Sequence, residues 1–551
     1  MLNWINHRRH SVAGAATLLL MLSVGALAAT DSTAKKDSMP GMAMAKDTGK
    51  KDTAVKDTTK KDTAAAPAAA PAMGDPTGGM TGTANDVTAK TAGKPTMDEL
   101  AADLGHTKIA VNFTWMLMSG FLVFFMQAGF ALLETGFVRA KNASHVMFMN
   151  ISIYFIGVLG YLVLGYALQM GNVAGNTQLG GLPVASGEFS IPIAGKAFGL
   201  FATQGFFLSG KFYDVGFWAL FLFSVVFMDA ACTIPTGAMA ERWKTSNFIL
   251  FGFVMSGIVY PLFGNWAWGN GWLATLGANF GLGHGYVDFA GSTVVHMVGG
   301  VAALAGIVVI GPRIGKFTKE GKANAIPGHH IPMAVLGTLV LGFGWFGFNA
   351  GSTLAGTDLR LAVVAVNTML ASCWAGAVTT IYMKAKTGKW DVAMACNGYL
   401  AGLVAITAPC AFVNVWGSMA IGVGAGLICP IAYSFIENKL KLDDAVGAVA
   451  VHGANGAWGG LSLGLFADGA YGEGWNGVKG GVRGLFYGDA SQMVVQIIGV
   501  VTCFVFVFGS FWIFFKVCDK IWGIRVSPEV EIDGLDAHDI GIPAYNDFTV
   551  H

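Results

Sequence analysis

Charge is what this 551-residue chain has least of: Asp, Glu, Lys and Arg make up 12% of it and nearly cancel, leaving a formal +1. A balance that even leaves no basic footprint for nucleic acid. Metal and disulfide signatures are missing too. The seven cysteines (Cys232, Cys373, Cys396, Cys410, Cys429, Cys503 and Cys518) lie in or beside apolar segments without CxxC or Cys/His spacing, and read as small buried hydrophobes. No GxxxxGK[ST] phosphate loop, no HExxH and no nucleophile–base constellation occurs, which argues against an enzyme and calls for no cofactor. What the chain has instead is apolar surface: 54% hydrophobic residues and 77 glycines, with a mean hydropathy of +0.56. That composition belongs to a polytopic membrane protein whose small residues let helices approach closely.

The first residues read as targeting. Arg8 and Arg9 precede an apolar run from Ala13 to Val24 and an Ala26-Leu27-Ala28 cleavage pattern, so residues 1–28 are expected to be a cleaved secretory signal. Residues 29–97 follow as an extracytoplasmic arm biased to Lys, Asp, Thr and Ala, lacking the branched and aromatic residues that bury a core. Met39, Met42 and Met44 in that arm are either soft-metal thioethers or part of an inert tail.

From Asp98 the chain resolves into eleven apolar stretches, near 109–133, 146–169, 215–239, 247–268, 290–311, 331–350, 361–383, 392–409, 413–435, 445–467 and 491–516. Most approach the roughly 20 residues that cross about 30 Å of hydrocarbon. With the N-terminus outside, the loops assigned to the cytoplasm carry sixteen Lys and Arg against six outside, as the positive-inside rule requires. The expectation is an all-α membrane domain over 98–517 with the C-terminus inside, followed by a cytoplasmic tail, 518–551. Five helices per half would start the two halves on opposite faces, an inverted 5+5 repeat plus an eleventh helix.

Two histidines stand in matching frames, His296 in STVVHMVGG and His452 in AVAVHGANG, each with Val before it and Gly four residues on. An imidazole in hydrocarbon is costly. They occupy the fifth helix and the tenth, where a pseudo-two-fold axis would bring them together near mid-bilayer. Aromatic residues cluster at Phe221–Asp229 and Phe343–Ser352, and Trp266, Trp268 and Trp272 precede the fifth helix. Trp is usual at a membrane interface, and its ring face attracts cations. Asp288 could draw a cation or cap the helix that follows.

These residues resemble the ammonium transporters of the Amt/Rh/methylammonium permease group. The marks are MQAGFALLETGFVRAKN (126–142), PTGAMAERW (235–243), VDFAGSTVVHMVGG (287–300), GWFGFNAGS (344–352), GYLAGLVAITAPC (398–410), DDAVGAVAVHGANG (443–456) and EIDGLDAHDIGIPAY (531–545), from Asp98 to the C-terminus. The resemblance implies that His296 and His452 are twin imidazoles of a pore and that Phe227 and Phe348 close its outer mouth. Phe227, Trp268 and Ser352 would form an outer ammonium site, with Asp288 beneath it. It also implies a homotrimer and a tail that meets a cytoplasmic nitrogen-status signal protein, while the signal type points to the cell inner (plasma) membrane. Ser224 replaces a Gln common in the third-helix motif, Gly447 replaces an Asp, and His538 is displaced from its usual place. Asp229 falls in mid-membrane, where Thr233 is the expected hydroxyl partner.

Desolvating ammonium costs far more than desolvating ammonia, so deprotonation on entry is favoured and the proton would travel separately through the histidines. Two other classes remain open: a sensor that binds ammonium and signals through its tail, and an Rh-like channel for neutral gas.

Overall fold

In the computed structural model, Lys90 and residues 95–173, 177–181 and 187–545 are described. The expected signal peptide, and Met39, Met42 and Met44, lie outside them. Helices dominate: α1 Met97–Phe137, α2 Ala140–Met170, α3 Val215–Met239, α4 Thr245–Phe280, α5 Ser292–Ile310, α6 Ile331–Gly351, α7 Leu361–Thr387, α9 Val415–Asn438 and α11 Ala490–Trp522 are each long and apolar enough to cross a membrane. Between them come the shorter α8, Val392–Ile406, and α10, 449–466. The protein is an all-α polytopic membrane protein. Large exposed side chains such as Phe121, Phe125, Leu339, Ile381, Val501 and Val505 make an apolar outer surface suited to lipid. Of these spans α5 is the most enclosed by its neighbours and α11 the least.

The apolar runs locate the helices but not their ends. α1 has 41 residues, about 60 Å at 1.5 Å per residue, twice the hydrocarbon thickness. Its polar first turns, fixed by a capping box between Thr96 and Glu99, therefore extend beyond the stretch 109–133. Among the described residues the one sheet is an antiparallel hairpin, β1 Glu188–Ile193 and β2 Lys196–Ala202. Ala194 and Gly195 join the strands with φ of 50° and 73°, the backbone of a tight two-residue turn. Phe198 stacks on Trp272 at 4.6 Å between centroids, and Trp266 donates its indole N–H to the Leu200 carbonyl at 2.8 Å. Two of the three tryptophans before α5 thus hold the hairpin.

α5 and α10 start alike. Asp288 and His296 are eight residues apart with Gly291 between; Asp444, Gly447 and His452 repeat the spacing. Gly291 and Gly447 both have positive φ, 111° and 87°, where a Cβ would be strained. The turns that carry the histidines, Ser292–Met297 and Val449–Ala454, are both π-helical. Such wide turns recur at functional sites.

At the end of the bundle that bears the C-terminal tail, Arg313 chelates Asp443 through Nε at 2.8 Å and Nη2 at 2.9 Å and reaches Glu241 at 3.1 Å. Burial pushes the Asp443 carboxyl up, but Arg242 and Arg313 together hold it well below the carboxylate range. The tail runs back over this end. Asp536 accepts from the Ser144 and His145 amides at 3.0 and 2.8 Å, and Glu531 accepts from the Ile314 amide at 2.7 Å. Asp539 accepts from the Thr245 hydroxyl at 2.5 Å, while His538 hydrogen-bonds Asp533 at 3.1 Å.

Candidate functional site

A cavity of about 220 Å³ opens between α3, α4 and the end of α6, lined among others by Ser224, Phe227, Trp268, Phe289 and Ser352. Its walls are mostly apolar, five of the eleven lining residues being aromatic. The Ser352 hydroxyl donates to the Phe348 carbonyl at 2.8 Å, so what remains to offer is its oxygen lone pairs. The indole N–H of Trp268 is taken by the Asp288 carbonyl at 2.6 Å, which fixes the ring's orientation. Its edge meets Phe227, with centroids 6.4 Å apart at 77°. Apolar walls with few convergent polar atoms are the usual form of a small-ligand site.

Asp288 is placed differently from the expected substrate contact. Its carboxylate is engaged by the amides of Gly291 and Ser292 through one oxygen at 2.8 and 3.0 Å. The other oxygen takes the amides of Thr293 and Val294 at 2.9 and 3.0 Å, and the Thr293 hydroxyl. Asp288 caps α5 and holds Trp268 through its carbonyl; it does not line the cavity. Asp444 does the same for α10, accepting from Ala448 and Val449 at 2.9 and 2.8 Å. Asp443 and Asp444, adjacent in sequence, therefore have separate tasks.

From the cavity floor a column of rings leads inward. Phe227 stacks on Phe348 at 4.0 Å, Phe348 on His296 at 5.3 Å, and His296 on His452 at 5.3 Å. Trp345 also packs on His296, at 4.9 Å and 19°, beside Phe348 at 5.7 Å. The two imidazoles face each other through Nδ1, 3.2 Å apart, with side chains 0% and 5% exposed. Such a contact needs a proton on one Nδ1 and a lone pair on the other. Nε2 of His296 has no hydrogen-bond partner, which leaves a buried polar atom open to a small polar guest.

Beyond His452 lies a second, tighter cavity of about 20 Å³, lined by Phe130, Glu134, Asn397, Val446 and His452 among others. Glu134 is a site residue that sequence reasoning quoted inside a motif but gave no role. Its signal was an acid inside an apolar run; the nearest cation in sequence, Arg139, pairs with Glu241 instead. Asp229 is also buried, but the expected partner is wrong. Thr233 donates to Asn150 at 2.9 Å and accepts from Gln127 at 3.1 Å, and Oδ1 of Asp229 has no partner. Thr233 is occupied by a polar network spanning α1, α2 and α3.

Residues 114–545 match the model of the Ammonium Transporter Family. This chain belongs to that family. It is 45% identical to ammonium transporter Amt2 of Archaeoglobus fulgidus over 446 residues, 80% of this chain and 90% of that one. Against Amt1 of Haloferax mediterranei the identity is 38%, covering 82% of each. Among solved structures, a sensor Amt protein superposes with a TM-score of 0.67 at 34% identity, covering 78% of this chain and 98% of the other. Mep2 of Candida albicans gives 0.64 at 27%, covering 76% and 87%. The matched region of this ammonium transporter family member takes in both cavities, the ring column and most of the tail.

Proposed function

We propose that this protein carries ammonium across the cell inner (plasma) membrane. In this reading ammonium enters the aromatic cavity, gives up its proton, and crosses as ammonia along the two histidines while the proton follows separately. One observation carries the reading: two buried imidazoles in mutual contact at the end of a ring column that starts in an aromatic cavity. The faces of Phe227 and Trp268 attract a cation and Ser352 offers it an acceptor. Past the phenyl rings a bare cation would meet only rings until the cavity of Glu134, so the neutral form is the one that can continue. His296 and His452, one donating and one accepting, serve both a lone pair and an N–H, and suit a shared proton. Asp288 acts by holding Trp268 and the first turn of α5.

The same reading gives eleven crossings, N-terminus outside and C-terminus inside, supported by the asymmetry of Lys and Arg between loops. Residues 1–28 would be a cleaved signal, 29–97 an arm outside, 98–517 the transport domain, and 518–551 a cytoplasmic tail. The chain would work as a homotrimer, with a nitrogen-status signal protein meeting the tail.

Ammonium-evoked current in lipid vesicles tests it. His296→Ala and His452→Ala should each lose most of the wild-type current, and undiminished current in both would remove the histidines from the mechanism. A sensor is the second reading, favoured by the similarity to a sensor Amt protein. It predicts ammonium binding without current, whereas a neutral-gas channel predicts flux without current.

A further inference from the structure

Glu134 is 2% exposed, in the last turn of α1, and among the described residues it makes no ion pair. Its Oε2 accepts from the Asn150 side-chain amide at 2.8 Å and lies 2.6 Å from the Thr236 hydroxyl. That hydroxyl is also 2.5 Å from the Thr233 carbonyl. It has one proton to give. Turned toward Glu134 it donates to a carboxylate; turned toward Thr233 it offers a lone pair to a carboxylic acid. Both protonation states are thus hydrogen-bonded without backbone movement.

The surrounding polar network does not need an acid. Gln127, Asn150 and Thr233 satisfy one another, and a neutral amide at 134 would serve the packing as well. The acid does, however, share a cavity with a histidine. At about 20 Å³ that cavity has room for about one water. His452 is the only other titratable side chain lining it. The facing groups from α2, α3 and α8 are the neutral Asn150, Thr236 and Asn397.

We infer that Glu134 is the proton-accepting station at the inner end of the pathway, an inference that rests on the transport reading above. An N–H bond of the His452 imidazolium breaks, the cavity water takes that proton, and the water passes one of its own to the Glu134 carboxylate. Ammonia arriving in the cavity then takes the proton from the carboxylic acid. Ammonium leaves, the carboxylate is restored, and His452 is again neutral. One proton and one ammonia enter, and one ammonium departs.

The test uses the full chain in lipid vesicles, reading ammonium-evoked current from about pH 5.5 to 8.5 and uncharged ammonia influx with an entrapped pH dye. Glu134→Gln should lower the current about a hundredfold, the lower end of the range for losing a positioned proton acceptor, and flatten its pH profile. Ammonia influx should stay within about twofold of wild type. Glu134→Asp should keep part of the current together with its pH dependence. Thr236→Val, which removes the turning hydroxyl at nearly the same volume, should move the midpoint of the pH profile while sparing ammonia influx. If Glu134→Gln does not fold, the other two variants decide.

Wild-type current and pH profile in Glu134→Gln would overturn the assignment, and so would an unmoved midpoint in Thr236→Val. Equal loss of current and ammonia influx in both Glu134 variants would also overturn it, by making the residue structural. A wild type that passes no current would instead sink the transport reading, and this inference with it.

Discussion

Replacing Asp288 separates two roles open to a buried acid near the aromatic cavity. The carboxylate meets four buried backbone amides, two on each oxygen, at 2.8 to 3.0 Å. An ordinary exposed N-cap is worth about 1 kcal/mol. Leaving four buried donors unmet, at about 1 to 3 kcal/mol each, sets an upper bound near 4 to 12 kcal/mol. Water reaching the vacated space offsets part of this, so Asp288→Ala should cost about 3 to 5 kcal/mol. Asp288→Asn should fare little better, because its single oxygen can satisfy one pair of amides while its NH₂ faces the other pair. In detergent, both variants should melt roughly 5 to 10 °C below wild type, and their ammonium current should fall in parallel as the His296 turn loosens. Should Asp288→Asn lose the current yet melt within about 1 °C of wild type, the capping argument fails and a direct electrostatic role takes its place.

Two further outcomes concern titrating groups outside the membrane spans. Burial raises the Glu188 carboxyl to about 7 against a hydrogen bond from Asn265 that lowers it. The hairpin's stability should therefore be complete below about pH 4.5 and decline as pH rises through 7. Glu188→Gln should slow amide exchange across 188–202 at pH 8 and leave it unchanged at pH 4.5; equal effects at both would refute this. In the tail, burial works against ionising Asp539, but hydrogen bonds to His145 and Thr245 prevail and hold it down to about 2. A lowered carboxyl stabilises above its unfolded value near 3.9 and stops doing so only as pH falls through 2. Tail docking should thus be unchanged between pH 8 and 5 by limited proteolysis, while Asp536→Ala, losing the cap on Ser144 and His145 at about 1 kcal/mol, should speed cleavage severalfold. Release of the wild-type tail in that pH range would contradict the assignment.

Hydrophobic runs made the helices legible, since a span of lipid leaves little freedom in length or composition. α3 is found at 215–239 as expected. Ends were less legible because helix continues into polar sequence once a cap is available, as at Thr96. The hairpin was hidden for another reason: its strands are short, Pro192 sits in one of them, and its turn reads Ala-Gly where Asn-Gly would have announced itself. Among the candidate site residues, Phe227, Trp268 and Ser352 meet in one cavity and His296 meets His452. Partners were harder than positions. Thr233, four residues from Asp229, had the spacing of a helical neighbour, but a better-placed Asn150 and Gln127 claimed its hydroxyl. Glu134 went unassigned because its partners, Asn150 and Thr236, are 16 and 102 residues away.

What sets the distance between the imidazoles is the backbone. A Cβ on Gly300, four residues past His296, would lie 2.2 Å from the nitrogen of Gly453, the residue after His452; one on Gly456, four past His452, would lie 2.9 Å from the nitrogen of Met297, the residue after His296. The contacts are reciprocal between the two turns. α5 and α10 each contribute an acid that caps, a glycine that turns, a histidine that meets the other, and a second glycine that lets the opposing backbone close. A lone buried histidine could be held by any nearby carbonyl. Two histidines delivered by repeated Asp-x2-Gly-x4-His frames and clamped by reciprocal glycine contacts have their spacing fixed by main-chain packing, which resists small displacements far better than side-chain rotamers do. In the transport reading proposed above, that rigidity would keep the Nδ1 atoms within hydrogen-bond reach whichever of them holds a proton, so a proton could change sides without a change in the protein.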